Sequence, residues 1–272
     1  MSSTLHHIQW LSDSKAPIVT DDGRTVEVWE LNYVNDDEIL SEWAKHFRNH
    51  YCSDDEIDDL ISGTGLSRSQ YLKDIKFPDR TSKLGPGVRS GDFSEILVSD
   101  FLQFVEGYWV PRTRYNDKTV RDESVKGCDI IGFKYQTDSN TTSEEDILVV
   151  FEAKAQLSTG ASKDKLNEAV IGSIKDTVRV GESLNAIKQR LKNIGVEDWK
   201  KISRFQSRED NPFTQVHGAV AILSTCVFDP DHVKTSTTAV HPESNTLRLL
   251  IIHGVDMMEL VHKLYDIASD EA

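Results

Sequence analysis

The segment that most restricts how this chain can fold is 146–154, Asp-Ile-Leu-Val-Val-Phe-Glu-Ala-Lys. A nearly continuous apolar run ending in two charges suits a central strand covered on both faces. Helices must then lie above and below it, and the rest of the chain supplies them.

Residues 25–34 alternate apolar and polar side chains and read as a strand. A helix follows over 36–50, with Asp36 as N-cap and Ile39, Leu40, Trp43 and Phe47 at helical spacing. An acidic helix is expected over 54–62. The stretch from Phe77-Pro78 to Gly85-Pro86-Gly87 is rich in breakers and divides an acidic N-terminal region, 1–85, from a main domain, 86–272. A new helix is expected to open at Asp92, where Asp92 and Glu95 have capping-box spacing. Strands are expected over 107–114, 128–135 and 146–154, the last two joined by a polar loop, 136–145. Helical pattern returns over 163–194 with a break near Gly181. Strands Val216–Cys226 and Leu247–His253 come next, and a helix over 256–268 follows them. This order predicts an α/β (α+β) fold, one mixed sheet flanked by helices with an N-terminal strand-helix extension.

The chemistry-bearing residues sit at the strand ends. Side chains two apart on a strand share a face, so Glu152 and Lys154 point the same way. Antiparallel pairing of 128–135 with 146–154 brings Asp129, near the start of one strand, beside Glu152, near the end of the other. Adjacent carboxylates repel, and burial penalises their charge. A divalent cation resolves that conflict, and Mg²⁺ is commonly held by one or two carboxylates plus substrate phosphate. Lys154 then positions or deprotonates a water, or acts as a fixed charge. The structural alternatives are a turn at Asp129, a surface pair at Glu152 and Lys154, and a capping role for Glu95. Gln156 either lines the face of Lys154 or belongs to a loop.

The pattern Asp129, a 22-residue gap, then Glu152-x-Lys154 resembles the PD-(D/E)xK nucleases, of restriction-endonuclease-like fold. Cys128 stands where the short signature has proline. Members often add an acidic residue from the preceding helix, a place Glu95 fits. With the flanks included, the chain resembles the HamA family, the nuclease subunits of Hachiman antiphage systems. Those flanks are Tyr71-Leu72, Phe77-Pro78, Arg89-Ser90-Gly91-Asp92-Phe93-Ser94-Glu95-Ile96-Leu97, Gly127-x-Asp129 and Phe151-Glu152-Ala153-Lys154. The resemblance implies a Mg²⁺-dependent deoxyribonuclease, with Mn²⁺ able to substitute. Asp129, Glu152 and Glu95 would hold the metal, and Lys154 would join them in catalysis. It also implies a superfamily 2 helicase partner, HamB, that restrains the nuclease until it senses DNA. Alternatives are a stand-alone restriction or repair endonuclease, or an inactive DNA- or protein-binding module.

Charge bears on the partner. The net charge is −14, unfavourable for gripping phosphates. Residues 1–75 hold 15 acidic and 6 basic residues, and 76–272 hold 30 and 25, so the acidity concentrates away from the motif. Lys76, Arg80, Lys83 and Arg89, then Arg112, Arg114, Lys118 and Arg121, remain as local basic groups. The run Asp54-Asp55-Glu56-Ile57-Asp58-Asp59 is the expected docking or restraining surface for a partner with a basic face. No Gly-rich phosphate loop, His-Glu-x-x-His or nucleophile elbow is found, and the nine histidines show no evident ligand spacing. His217 reads as a core or surface histidine. No apolar run reaches membrane length, and Met1–Trp10 has no apolar core, so neither a span nor a secretory signal is expected. Three scattered cysteines fit a reducing cytoplasm.

Overall fold

We describe residues 5–116, 118–136 and 142–272 from a computed structural model. Chain order is β1 (Leu11–Asp13), β2 (Ile18–Val19), β3 (Thr25–Leu31), α1 (Asp37–Asn49), α2 (Ile57–Ile61), α3 (Arg68–Tyr71) and α4 (Gly85–Asp100). After it come β4 (Ile130–Lys134), β5 (Ile147–Gln156), α5 (Lys165–Ser173), α6 (Asp176–Asn193) and α7 (Trp199–Ile202). The chain continues through β6 (Thr214–Ser224), α8 (Pro230–Lys234), β7 (Arg248–Gly254) and α9 (Met257–Asp270).

The apolar run of β5 is indeed central. It pairs in parallel with β6 on one side and antiparallel with β4 on the other. The sheet order is β1-β3-β7-β6-β5-β4, with β2 beside β3, and β7 is parallel to both β6 and β3. The parallel pairs need crossovers: α5–α7 link β5 to β6, and α8 links β6 to β7. Alternation along β5 sorts the two faces. Val149, Phe151 and Ala153 pack into the cluster built by α1, α4 and α9, while Leu148 and Val150 pack against Leu184 and Leu191 of α6. The expected mixed α/β architecture is present. Segments 1–85 and 86–272 share one sheet and one core, since β3 pairs with β7 and α1 packs on α9.

Asp36 caps α1 as expected, accepting from the N–H groups of Glu38 and Ile39 at 3.1 Å each. Four local readings need correction. The helix expected to open at Asp92 opens at Gly85, with Pro86 in its first turn, where a missing N–H costs nothing. Asp92 is therefore mid-helix and buried, and no capping box exists there. Segment 107–114 is no strand; its ladder is the single bridge Trp109–Phe133. The helical stretch 163–194 breaks at Ile174–Lys175, whereas Gly181 lies inside α6 with open space where a Cβ would stand. The acidic helix shrinks to α2. Part of the expected loop 136–145, residues 137–141, lies outside the described residues.

Candidate active site

The register of β4 on β5 sets the site. Ile130 faces Phe151, so Asp129, one residue before the strand, falls opposite Glu152. Gly127, at φ +103°, supplies the backbone conformation that turns the chain here, and Cys128 N–H donates to Ser183 Oγ at 3.0 Å. The Asp129 carboxylate reaches β5 itself: Oδ2 accepts from the Ala153 N–H at 3.2 Å. Its Oδ1 accepts from Arg114 Nη2 at 2.9 Å.

Arg114 ties two acids together. Its Nε lies 2.6 Å from Glu95 Oε2, and its guanidinium also donates to the carbonyls of Cys128 and Val125. Tyr115 OH donates to the same Glu95 oxygen at 2.5 Å. Burial pushes the Glu95 carboxyl up to about 8, against the pull of Arg114 and with the added charge of Asp129. Glu95 is thus engaged with Asp129 through Arg114, not spent on a helix cap.

Glu152 and Lys154 share the α5–α6 face, as the alternation predicts. Lys154 Nζ donates to Glu152 Oε1 at 2.5 Å, and Arg179 Nη2 donates to Oε2 at 3.0 Å. Arg179 is fixed in turn by Asp176, 2.7 Å away on the preceding turn. Burial, then the neighbouring charge of Asp129, raises the Glu152 carboxyl above its ordinary value. Burial works against the Lys154 ammonium, but Glu152, Asp129 and Glu95 outweigh it and raise its pKa. Helix α5 comes so close that a Cβ on Gly172 would stand 2.5 Å from Glu152 Oε1 and 2.8 Å from its Cγ.

Two clefts meet at Arg114 and Asp129. One, of about 490 Å³, is lined by Glu95, Lys154, Gln156 and Lys163 among others. The second, of about 250 Å³, is lined by Lys126, Arg179 and Arg190 among others. A HamA family model matches residues 5–268 of the 272. The chain belongs to the HamA family. HamA membership places it in Hachiman antiphage defence. Comparison with curated proteins gives no match. Among the described residues of this HamA chain, no helix is long and apolar enough to cross a membrane.

Asp129, Glu152, Lys154 and Glu95 therefore surround one end of β5. Arg114 serves both Glu95 and Asp129 while Lys154 pairs with Glu152, and the three carboxylates do not gather with ligand atoms all within 4.8 Å of one another. Gln156 is the last residue of β5, paired with Leu223 and lining the same cleft as Lys154, and its side chain braces the loop that follows, donating to Ala161 O at 2.8 Å and accepting from Lys163 N–H at 2.9 Å. His217 is a core histidine beside Gln215. Several of the local basic groups are engaged within the chain: Arg89 with Pro78 O, Lys118 with Asp92, Arg121 with Asp79, Arg112 with Asp100.

Sequence reasoning missed Arg179, whose i,i+3 pairing with Asp176 was the available signal. It also missed a histidine pair. His46 in α1 and His50 at its C-cap, four residues apart, converge with Asp100 so that one ligand atom from each lies within 4.8 Å of the others.

Proposed function

We propose that this chain is a metal-dependent deoxyribonuclease, the effector of its Hachiman system, working with a superfamily 2 helicase of the HamB kind. The observation that carries the reading is the register that sets Asp129 opposite Glu152, with Lys154 on the same face two residues on.

The donor set fits Mg²⁺ or Mn²⁺. Asp129, Glu152 and Glu95 offer carboxylate oxygens, the hard ligands such ions take. Burial leaves Glu95 and Glu152 reluctant to ionise, and a nearby cation relieves that penalty. When bound, the metal supplies an activated water and offsets charge growing on the phosphate oxygens.

The chain's own residues do the rest. Ala153 N–H and Arg114 orient Asp129, and Arg179 and Gly172 fix where Glu152 lies. Lys154, partly exposed into the larger cleft, sets a fixed positive charge where a scissile phosphate would approach. Lys163 and Lys165, on the rim of that cleft, suit the flanking phosphates. The charge of −14 leaves little general affinity for DNA, which assigns the grip to the larger partner.

The test is purification with the neighbouring helicase, then incubation with single- and double-stranded DNA, with and without ATP and Mg²⁺. Cleavage that requires Mg²⁺ and stops with a chelator supports the reading. A folded complex that leaves every DNA form intact, or cuts in the presence of chelator, refutes it.

A further inference from the structure

The other concentration of chemistry lies at the far end of α4. His46 projects from the last turn of α1 and His50 from its C-cap, and Asp100 closes α4 with a fully buried carboxylate. His46 Nε2 stands 2.9 Å from Asp100 Oδ1 and 3.3 Å from His50 Nε2. Two nitrogens held ~2.0–2.1 Å from one tetrahedral zinc ion are ~3.3 Å apart. The imidazole pair already has that spacing.

Supporting groups surround the three. His7, buried and stacked on Trp43 at 4.3 Å between ring centres, contacts Asp100 Oδ2 at 3.1 Å. Such an outer contact fixes the orientation of a ligating carboxylate. On the open side stands Arg112. Its Nη1 is 2.7 Å from Asp100 Oδ1 and 3.3 Å from His50 Nε2, and Gln103 Oε1 accepts from its Nε and Nη2. A guanidinium thus touches two of the three ligand groups, where a cation is attracted. Arg112 and His46 are each about one-fifth exposed, so the cluster opens to solvent.

We propose that His46, His50 and Asp100 form a site for a transition-metal ion of the zinc class, which binds by displacing Arg112 from the cluster. Two imidazoles and one carboxylate leave a fourth position, which a water fills once Arg112 swings aside. The site is separate from the acidic cluster at the end of β5 and does not depend on the nuclease reading. A cavity of about 30 Å³ lined by His50, Arg112, Glu95 and Asp129 lies between them. Occupancy would tie α1 to the end of α4, the helix that also carries Glu95.

The experiment uses full-length, metal-stripped protein carrying Glu152→Ala, so that ions at the acidic cluster do not confuse the count. Zn²⁺ is titrated by calorimetry and Co²⁺ by visible absorption. One ion per chain, with the strong visible bands of four-coordinate Co²⁺, is expected. Adding His50→Ala should weaken binding at least ~10-fold, while Arg112→Met should tighten it. A folded parent that binds no Zn²⁺, or unchanged affinity in His50→Ala, overturns the proposal. If His50→Ala does not fold, Arg112→Met decides, because unchanged affinity there removes the claimed competition.

Discussion

The Asp129 carboxylate accepts a hydrogen bond from the main-chain N–H of Ala153 at 3.2 Å, which pins the acid just before β4 to the β5 backbone that joins Glu152 and Lys154. An amide oxygen can accept the same bond, but it carries no charge. Asp129→Asn should therefore keep the fold, but its NH2 would face the Arg114 donor in place of Oδ1, so stability should fall by about 1–3 kcal/mol. DNA cleavage should fall at least ~10²-fold, the usual cost of losing a metal ligand or a preorganised charge. Parallel melting curves and cleavage rates check this. Full activity in the variant would show that the charge of Asp129 is not used.

Gly172 tests the position of Glu152 without altering its chemistry. A Cβ there meets both the end and the Cγ of the Glu152 side chain, so the carboxylate must move. Gly172→Ala should slow cleavage on the order of 10²-fold, since misplacement by about 1 Å is that costly. Overpacking should cost ~1–3 kcal/mol of stability as well. Ile171→Ala, at an exposed neighbour, is the control and should cleave normally. Equal rates in both variants would contradict the tight placement of Glu152.

The acidic run 54–59 is partly committed inside the chain. Asp54 pairs with buried Arg48 at 2.7 Å and Asp58 pairs with Arg68, which leaves exposed Asp55 and Asp59 as the groups a partner would meet. The hydrogen bond from Arg48, followed by the charges of Arg48 and Lys45 working against burial, holds the Asp54 carboxyl below its ordinary value. A depressed carboxylate stabilises the fold above the unfolded pKa of ~3.9, and that contribution is lost as pH falls through the lower folded value. Asp54→Ala should cost about 1–3 kcal/mol at neutral pH by stranding Arg48. The gap between the two denaturation curves should close on acidification below about pH 4. A gap independent of pH would show that the pair does not act through charge.

How much of this the sequence carried can be traced residue by residue. The strand β5 was legible because Ile147–Phe151 is apolar throughout, and the facing of Glu152 and Lys154 follows from a period of two. The placement of Asp129 needed only antiparallel pairing across the next loop. Glu95 was legible as an acid but not in its setting. Gly85-Pro86-Gly87 resembles a boundary, yet packing makes it the first turn of α4 and moves Asp92 into the interior. Arg114 and Arg112 read as surface charge, because a partner such as Glu95 or Asp100 is fixed only by tertiary contact. The i,i+4 spacing of His46 and His50 was passed over among the nine histidines, because only the approach of Asp100 gives it meaning.

The central claim is that Glu152 and Lys154 serve a Mg²⁺-dependent cleavage of DNA. The measurement that tests it most directly is the rate of DNA cleavage by the helicase-bound chain, comparing wild type with Glu152→Ala and Lys154→Ala at equal Mg²⁺. The account predicts that both variants fold and bind the helicase but cut at least ~10²-fold more slowly. It also predicts that Ca²⁺ in place of Mg²⁺ silences the wild type, because Ca²⁺ takes more ligands in looser geometry. Wild-type rates in either folded variant, or undiminished cutting in Ca²⁺ or chelator, would contradict it.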